Sequence, residues 1–271
     1  MIAPSSPLSA MLELGSVEGV TIKNLALDGQ GKVEVGIHIS GLCPGVALES
    51  VAIRSVKQSA LRFSNARGDP AHPIRLERVR STALPPGGVG LFLRAENVDT
   101  RYVQVVACRF EGDGKQLGIK VEGAADKVTV QGNRFFNLDT AMALSHVPTA
   151  KALRAQIISN TFYGGRVGIG FDTTTILPDQ PSGQFQVTIE KNYFAKLQSV
   201  SAVTGISMPT GVRSDNNALG DGAVLGKGVV AAIPLLTPTL QNLDPNYDAA
   251  FLRFPGGPPE LGPGKPKVGA P

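Results

Sequence analysis

Short apolar alternations recur along this chain at a nearly fixed spacing. The clearest is Val128-Thr-Val-Gln-Gly-Asn133-Arg-Phe135, which reads apolar-x-apolar-x-x-Asn-x-Phe and is followed after a short gap by Ala141-Met-Ala-Leu144. Alternating runs of three or four residues are too short for helices and predict strands. Setting the first apolar residue as position zero, positions zero, two, five and seven are Val20, Ile22, Leu25, Leu27, then Val46, Leu48, Val51, Ile53, then Ile74, Leu76, Val79, Ser81. The series continues with Val103, Val105, Cys108, Phe110, then Val128, Val130, Asn133, Phe135, then Ala155, Ile157, Asn160, Phe162, then Val187, Ile189, Asn192, Phe194, and weakly Val212, Ser214, Asn217, Leu219. The starts are 25 to 32 residues apart, a repeat length that means a solenoid. A second run follows each: Gly36-Ile-His-Ile39, Ala60-Leu-Arg-Phe63, Gly90-Leu-Phe-Leu93, Gly118-Ile-Lys-Val121, Ala141-Met-Ala-Leu144, Gly168-Ile-Gly-Phe171 and Gly205-Ile-Ser-Met208. Each coil therefore offers three short strands and three bends, with alternate residues inside and outside.

Stacked coils place equivalent residues on top of one another. Phe110, Phe135, Phe162 and Phe194 predict an internal aromatic stack, each ring burying a large apolar area. Asn133, Asn160, Asn192 and Asn217 predict an asparagine ladder in one bend, with stacked amides and turn backbone as hydrogen-bond partners. Leu25, Val51, Val79 and Cys108 take that position in the earlier coils, so the ladder belongs to the second half. A leucine-rich repeat shares the apolar-x-apolar-x-x-Asn core, but its leucine frame and helical second half are missing here. The reading is one all-β parallel solenoid of about eight coils over residues 10–254. An N-terminal extension spans 1–9. A Pro/Gly-rich tail spans 255–271 and is expected to be poorly ordered, with Phe251, Leu252 and Phe254 capping the last coil.

Gly19 to Gly29, Val128 to Phe135 and Val187 to Phe194 carry a resemblance to the right-handed parallel β-helix, or pectin-lyase-like, family over roughly residues 10–235. The segment from Asp244 to Pro259, with Lys267-Val-Gly-Ala270, looks like the closing part of bacterial β-helix-repeat proteins. It is also similar to C-terminal β-helix regions joined to bacterial serine/threonine protein kinases. No kinase motif occurs, so any kinase would lie outside this chain. The resemblance implies the fold; many functions share it.

Composition adds little. With 32 Gly, 20 Pro, no Trp and 42% hydrophobic residues, the chain is too apolar for disorder and rich in turns. No apolar run reaches the roughly 18 residues of a membrane span. The start, Met1-Ile-Ala-Pro-Ser-Ser-Pro7, lacks the pattern of a signal peptide and runs quickly into strand-like sequence, which suggests a segment of a longer, extracytoplasmic protein, monomeric or tethered to other domains. Net charge is +4, with a local excess in Arg54, Lys57, Arg62, Arg67, Arg75, Arg78 and Arg80 against Asp69 and Glu77. That cluster reads as a solvated outer face or as a patch for anionic glycans or phosphates. Nucleic acid is set aside because no groove-reading motif accompanies it. Cys108 falls on an inward position and reads as a buried free thiol. Cys43 is about two coils away, beyond disulfide reach.

The resemblance implies that chemistry would sit on the outer face of the first sheet. Pectate lyases use stacked Asp residues for calcium together with a basic residue, and polygalacturonases use clustered Asp with a His; both need several carboxylates on one face. The outward row here is His38, Arg62, Phe92, Lys120, Ala143, Gly170 and Ser207, with no acid. The next row is Ser40, Ser64, Arg94, Glu122, Ser145, Asp172 and Pro209. Glu122 and Asp172 fall two coils apart, roughly 9.6 Å at strand spacing, near the upper limit for an inverting carboxyl pair. His146 sits beside Ser145 between them. Glu122, Asp172 and His146 are thus the catalytic candidates, and Arg62, Arg94, Lys120, Glu122 and Asp172 the ligand-binding ones. The bland alternative is ordinary polar bend residues. His38, His72 and His146 fall on different coils without metal-ligand spacing, so no metal or cofactor is expected. Asp113 and Asp221 sit in Gly-Asp-Gly turns, which is turn chemistry more than calcium binding. The leading expectation is a non-catalytic module, a carbohydrate binder or scaffold. A lyase or glycoside hydrolase is the alternative.

Overall fold

Each predicted repeat folds as one rung of three strands, and the rungs stack in parallel register into a β-solenoid of about seven turns. The computed structural model describes residues 1–4, 6–96, 98–145, 153–174, 185–205 and 211–220, and among these there is no helix. That removes the horseshoe with its helical half. The tail 255–271, its anchors Phe251, Leu252 and Phe254, and the motif residues Asp221 and His146 lie outside the described residues.

Three faces run the length of the stack. The first comprises Leu8–Gly15, Val33–Leu42, Ser59–Arg67, Val89–Arg94, Leu117–Glu122 and the second halves of Arg134–Ser145, Thr161–Asp172 and Tyr193–Thr204. The second runs from Thr21–Lys23 through Ala47–Glu49, Ile74–Glu77, Thr100–Val106, Ala125–Gln131, Leu153–Ile158 and Phe185–Glu190 to Val212–Asp215. The third runs from Ala26–Asp28 through Ala52–Arg54, Arg80–Thr82, Arg109–Glu111 and the first halves of the three long strands to Ala218–Leu219. The first rung begins at Leu8, and Ile2 bridges to Leu27 ahead of it.

The bend between the second and third faces is the same backbone event in every rung. Asn24, Ser50, Arg78, Ala107, Gly132, Ser159, Lys191 and Asn216 all have φ between 51° and 67°. Such a left-handed residue costs a non-glycine side chain roughly 1 kcal/mol or more, and the packed residue that follows holds it there. In the later rungs that residue is the ladder asparagine. Asn160 is fully buried; its Nδ2 donates to Val130 O at 2.9 Å and to Asn192 Oδ1 at 3.0 Å, while its Oδ1 accepts from Asn133 N at 2.9 Å. The same set repeats at Asn133, and Asn217 donates to Ile189 O. Cys108 ends the ladder: its amide donates to Asn133 Oδ1, and its thiol lies 3.7 Å from Leu76 O, where an asparagine amide would be. Burial pushes that thiol up to about 12.

The aromatic stack forms as the spacing predicts. Phe110, Phe135, Phe162 and Phe194 follow at centroid distances of 5.3, 4.8 and 4.7 Å with nearly parallel rings. It also explains the glycine of the Gly-Ile-x-Ile run. A Cβ on Gly90 would sit 2.5 Å from Phe110 Cδ1, and one on Gly118 would sit 2.8 Å from Phe135 Cδ1. The strand passes the ring edge at backbone distance, so small residues line that column.

One expectation is corrected. The seventh rung does not use Gly205 to Met208 for the first face. Its strand Tyr193–Thr204 runs straight on from the Phe194 position, pairing Gly170 with Ala202 and Asp172 with Thr204. Ala202 and Thr204 therefore replace Ser207 and Pro209 in the outward rows, and 206–210 lie outside the described residues. The reason is geometric: Ala141, Gly168 and Val200 each fall six residues after their stacked Phe, so Val200 is the true counterpart.

Candidate functional site

The first face presents its outward side chains as two adjacent columns. One column runs Glu13, His38, Arg62, Phe92, Lys120, Ala143, Gly170, and the other Ser40, Ser64, Arg94, Glu122, Ser145, Asp172. The structure thus brings Arg62, Lys120, Arg94 and Glu122 together. It places Asp172 two rungs beyond Glu122 with Ser145 between them. At about 4.8 Å per rung, that leaves the two carboxylates near the separation expected from the sequence.

Their surroundings differ from those of a catalytic pair. Glu122 Oε2 lies 2.6 Å from Lys120 Nζ, and Glu122 Oε1 lies 3.7 Å from Arg94 Nε. Arg94 also reaches Glu96 at 3.0 Å. Asp172 Oδ1 accepts from the Thr174 amide at 3.0 Å and from its hydroxyl at 2.6 Å, which makes it a turn-forming group. Phe92 has two cations over its ring, Arg62 at 5.7 Å and Lys120 at 4.9 Å from the ring centre, which compete with a sugar for stacking there. Arg62 donates to Gln58 Oε1 at 2.6 Å, and His38 shares a 3.0 Å hydrogen bond with Ser64. Burial lowers the His38 pKa from its ordinary value, with Glu13 pulling upward and Arg62 downward. Burial lowers Arg62 as well, and Arg94 adds to the shift. Among the described residues no three His, Cys, Asp or Glu side chains gather as metal ligands, and no helix is long and apolar enough to cross a membrane.

Five of the seven cations from Arg54 to Arg80 have carboxylate partners, within a rung or across rungs. Arg54 pairs with Asp28 at 2.8 Å, Lys57 with Glu34 at 3.2 Å, Arg75 and Arg78 with Glu77, and Arg80 with Glu111 at 3.0 Å. Arg109 shares Glu111. The third face also carries an outward aromatic pair, Phe136 and Tyr163, stacked at 5.8 Å with Lys196 over Tyr163.

The second face holds what the motif search passed over. A groove of about 820 Å³ lies over its last four rungs, lined by Lys127, Thr129, Arg154, Gln156, Gln186, Thr188 and Arg213, together with Val128, Ala155 and Gly211. Thr129, Gln156, Thr188 and Arg213 are one outward column in strict register. The signal was present in the sequence as position one of each repeat. A search for acids and histidines does not register it.

No family model matches the chain, and no curated protein matches it. Among solved structures it is similar to the full-length structure of QnrB1, a plasmid-mediated fluoroquinolone resistance protein, at 11% identity and a TM-score of 0.21, covering 86% of this chain and 97% of that one. An overlap that loose carries no argument about function.

Proposed function

We propose that this chain is a non-catalytic β-solenoid module that binds acidic carbohydrate through the first-face columns, with Arg62, Arg94 and Lys120 as the contacts and Glu122 and Asp172 at the border. The observation that carries the reading is the state of the carboxylates. Glu122 is already the ion-pair partner of Lys120 and Arg94, and Asp172 already accepts from Thr174. Hydrolysis of a glycosidic bond needs one carboxyl group to give a proton and a second to activate water or attack, and neither group is free for those tasks. The cations Arg62 and Lys120 on either side of Phe92 favour an anionic ligand held by charge-assisted hydrogen bonds. A pectin-lyase-like lineage, and a place within a larger extracytoplasmic bacterial protein, belong to the same proposal and are supported by the residue patterns at 19–29, 128–135 and 244–259.

The enzyme reading keeps one observation in its favour. The two-rung spacing of Glu122 and Asp172 over Ser145 leaves room for a water between them. A glycan array followed by titration of any hit at two ionic strengths separates the readings. Binding that weakens with salt and on Arg94→Ala supports the module. Product formation abolished by Glu122→Ala/Asp172→Ala overturns it in favour of a hydrolase or lyase. A flat array removes carbohydrate binding and leaves a structural scaffold.

A further inference from the structure

We infer that the second-face groove is a separate binding site for an extended polyanionic glycan lying along the solenoid axis. Its lining contains three cations and no carboxylate. Arg154 is partly compensated by Asp126 at 2.9 Å, while Lys127 and Arg213 have no ion-pair partner among the described residues. Glu190 lies in strand register with Asp215 on the next outward column, outside the lining. The charge of the groove is therefore positive and open to a ligand, in contrast to Arg54, Arg75, Arg78 and Arg80, each of which has a carboxylate partner.

Hydrogen-bonding chemistry narrows the ligand class. Gln156, Gln186, Thr129 and Thr188 present both donors and acceptors, and none has a side-chain partner among the described residues. Amides and hydroxyls in a column suit a chain of hydroxyls. Cations at both ends of the column suit carboxylate or sulfate groups on that chain. The column crosses three strand spacings, about 14 Å at about 4.8 Å each, and each spacing is about the length of one sugar ring. A small metabolite would leave most of such an open groove unfilled. A single-stranded nucleic acid would need aromatic platforms for its bases, and the lining has none. This site shares no residue with the first-face columns, so the two proposals fail independently.

The test uses the whole chain in an Arg62→Ala/Arg94→Ala/Lys120→Ala background, which removes all three first-face contacts. Size-defined oligogalacturonate (carboxylated), a heparin-derived oligosaccharide (sulfated), neutral dextran oligosaccharide and oligothymidylate are titrated calorimetrically. The groove reading expects binding of at least one of the two anionic glycans. It also expects that binding to weaken about tenfold or more, about 1.4 kcal/mol or more, on adding Lys127→Ala/Arg213→Ala. Gln156→Ala/Thr188→Ala, which leaves the charges in place, should also weaken it while circular dichroism stays unchanged. The proposal is overturned if the background variant binds neither anionic glycan, if the groove variants bind as the background does, or if oligothymidylate binds more tightly than both glycans. Loss of binding already in the background, with intact binding in groove variants of the parent, would reject this site and leave the first-face proposal standing.

Discussion

Replacing Asn160 with leucine tests why the second half of the solenoid carries amides where the first half carries apolar residues. Leu25, Val51 and Val79 show that the column accepts a leucine-sized side chain. The cost must then come from hydrogen bonds. Asn160→Leu removes the acceptor of the Asn133 backbone N–H and the amide donor to Val130 O. Asn133 Nδ2 keeps Val105 O, and Asn192 Oδ1 keeps the residue-160 backbone N–H. Two buried groups are thus left without these partners. At about 1–3 kcal/mol for each unsatisfied group, partly offset by burial of the leucine, the variant should lose about 2–4 kcal/mol. Leu25→Met in the apolar half conserves volume and strands no polar group, so it should stay within about 1.5 kcal/mol. Urea unfolding followed by far-ultraviolet circular dichroism measures both. Because a solenoid's rungs are coupled mainly to their neighbours, the loss should appear as an earlier transition of the second half. An Asn160→Leu midpoint equal to the parent's would refute the claim that the amides hold the bend together.

Further outcomes follow from the same geometry. Phe135→Ala, which opens a hole between rings at 5.3 and 4.8 Å, should destabilise by about 3–5 kcal/mol in the same assay. Cys108, buried with its pKa raised to about 12, should resist a thiol reagent in the native protein at pH 8 and react fully once the chain is unfolded. Rapid native labelling at Cys108 would contradict its inward placement. Asp139 is held below its ordinary value chiefly by hydrogen bonds from Arg166, at 2.6 and 2.8 Å, against burial that raises it. A lowered folded-state value means the contribution is complete above the unfolded value of 3.8 and is lost as pH falls through the folded one. Arg166→Ala should therefore lower stability at neutral pH and narrow the gap to the parent in acid. A gap that does not change with pH would show that the pair does not act through Asp139 ionisation.

The rung itself was readable before any coordinates. Phe110, Phe135, Phe162 and Phe194 share one position of the repeat, and Asn133, Asn160, Asn192 and Asn217 share another. Stacking follows because parallel strands in register bring equal positions together. The one misplaced strand, Gly205 to Met208 for Val200 to Val203, shows the weakness of motif matching. A Gly-Ile pair looked like the repeat, while the constant distance from the stacked Phe was the physical constraint. The candidate carboxylates were located correctly by rung and column. Their partners were not foreseen, because Lys120 reaching Glu122 and Thr174 reaching Asp172 depend on side-chain conformation.

What this sequence determined alone is the inside of the molecule. Period-two alternation at a recurring offset leaves one way to bury the apolar set, and the ring and amide columns follow from it. What only the tertiary structure decided is the outside. Pairs such as Arg54 with Asp28, Arg80 with Glu111 and Arg166 with Asp139 join residues 26, 31 and 27 positions apart. Whether such a pair closes depends on rung register and on the reach of long flexible side chains. In the groove from Lys127 to Arg213 that pairing is incomplete: Arg154 meets Asp126, while Lys127 and Arg213 have no ion-pair partner among the described residues. Burial tolerates few arrangements, so pattern reveals it; solvent tolerates many, so the exposed chemistry waits on geometry.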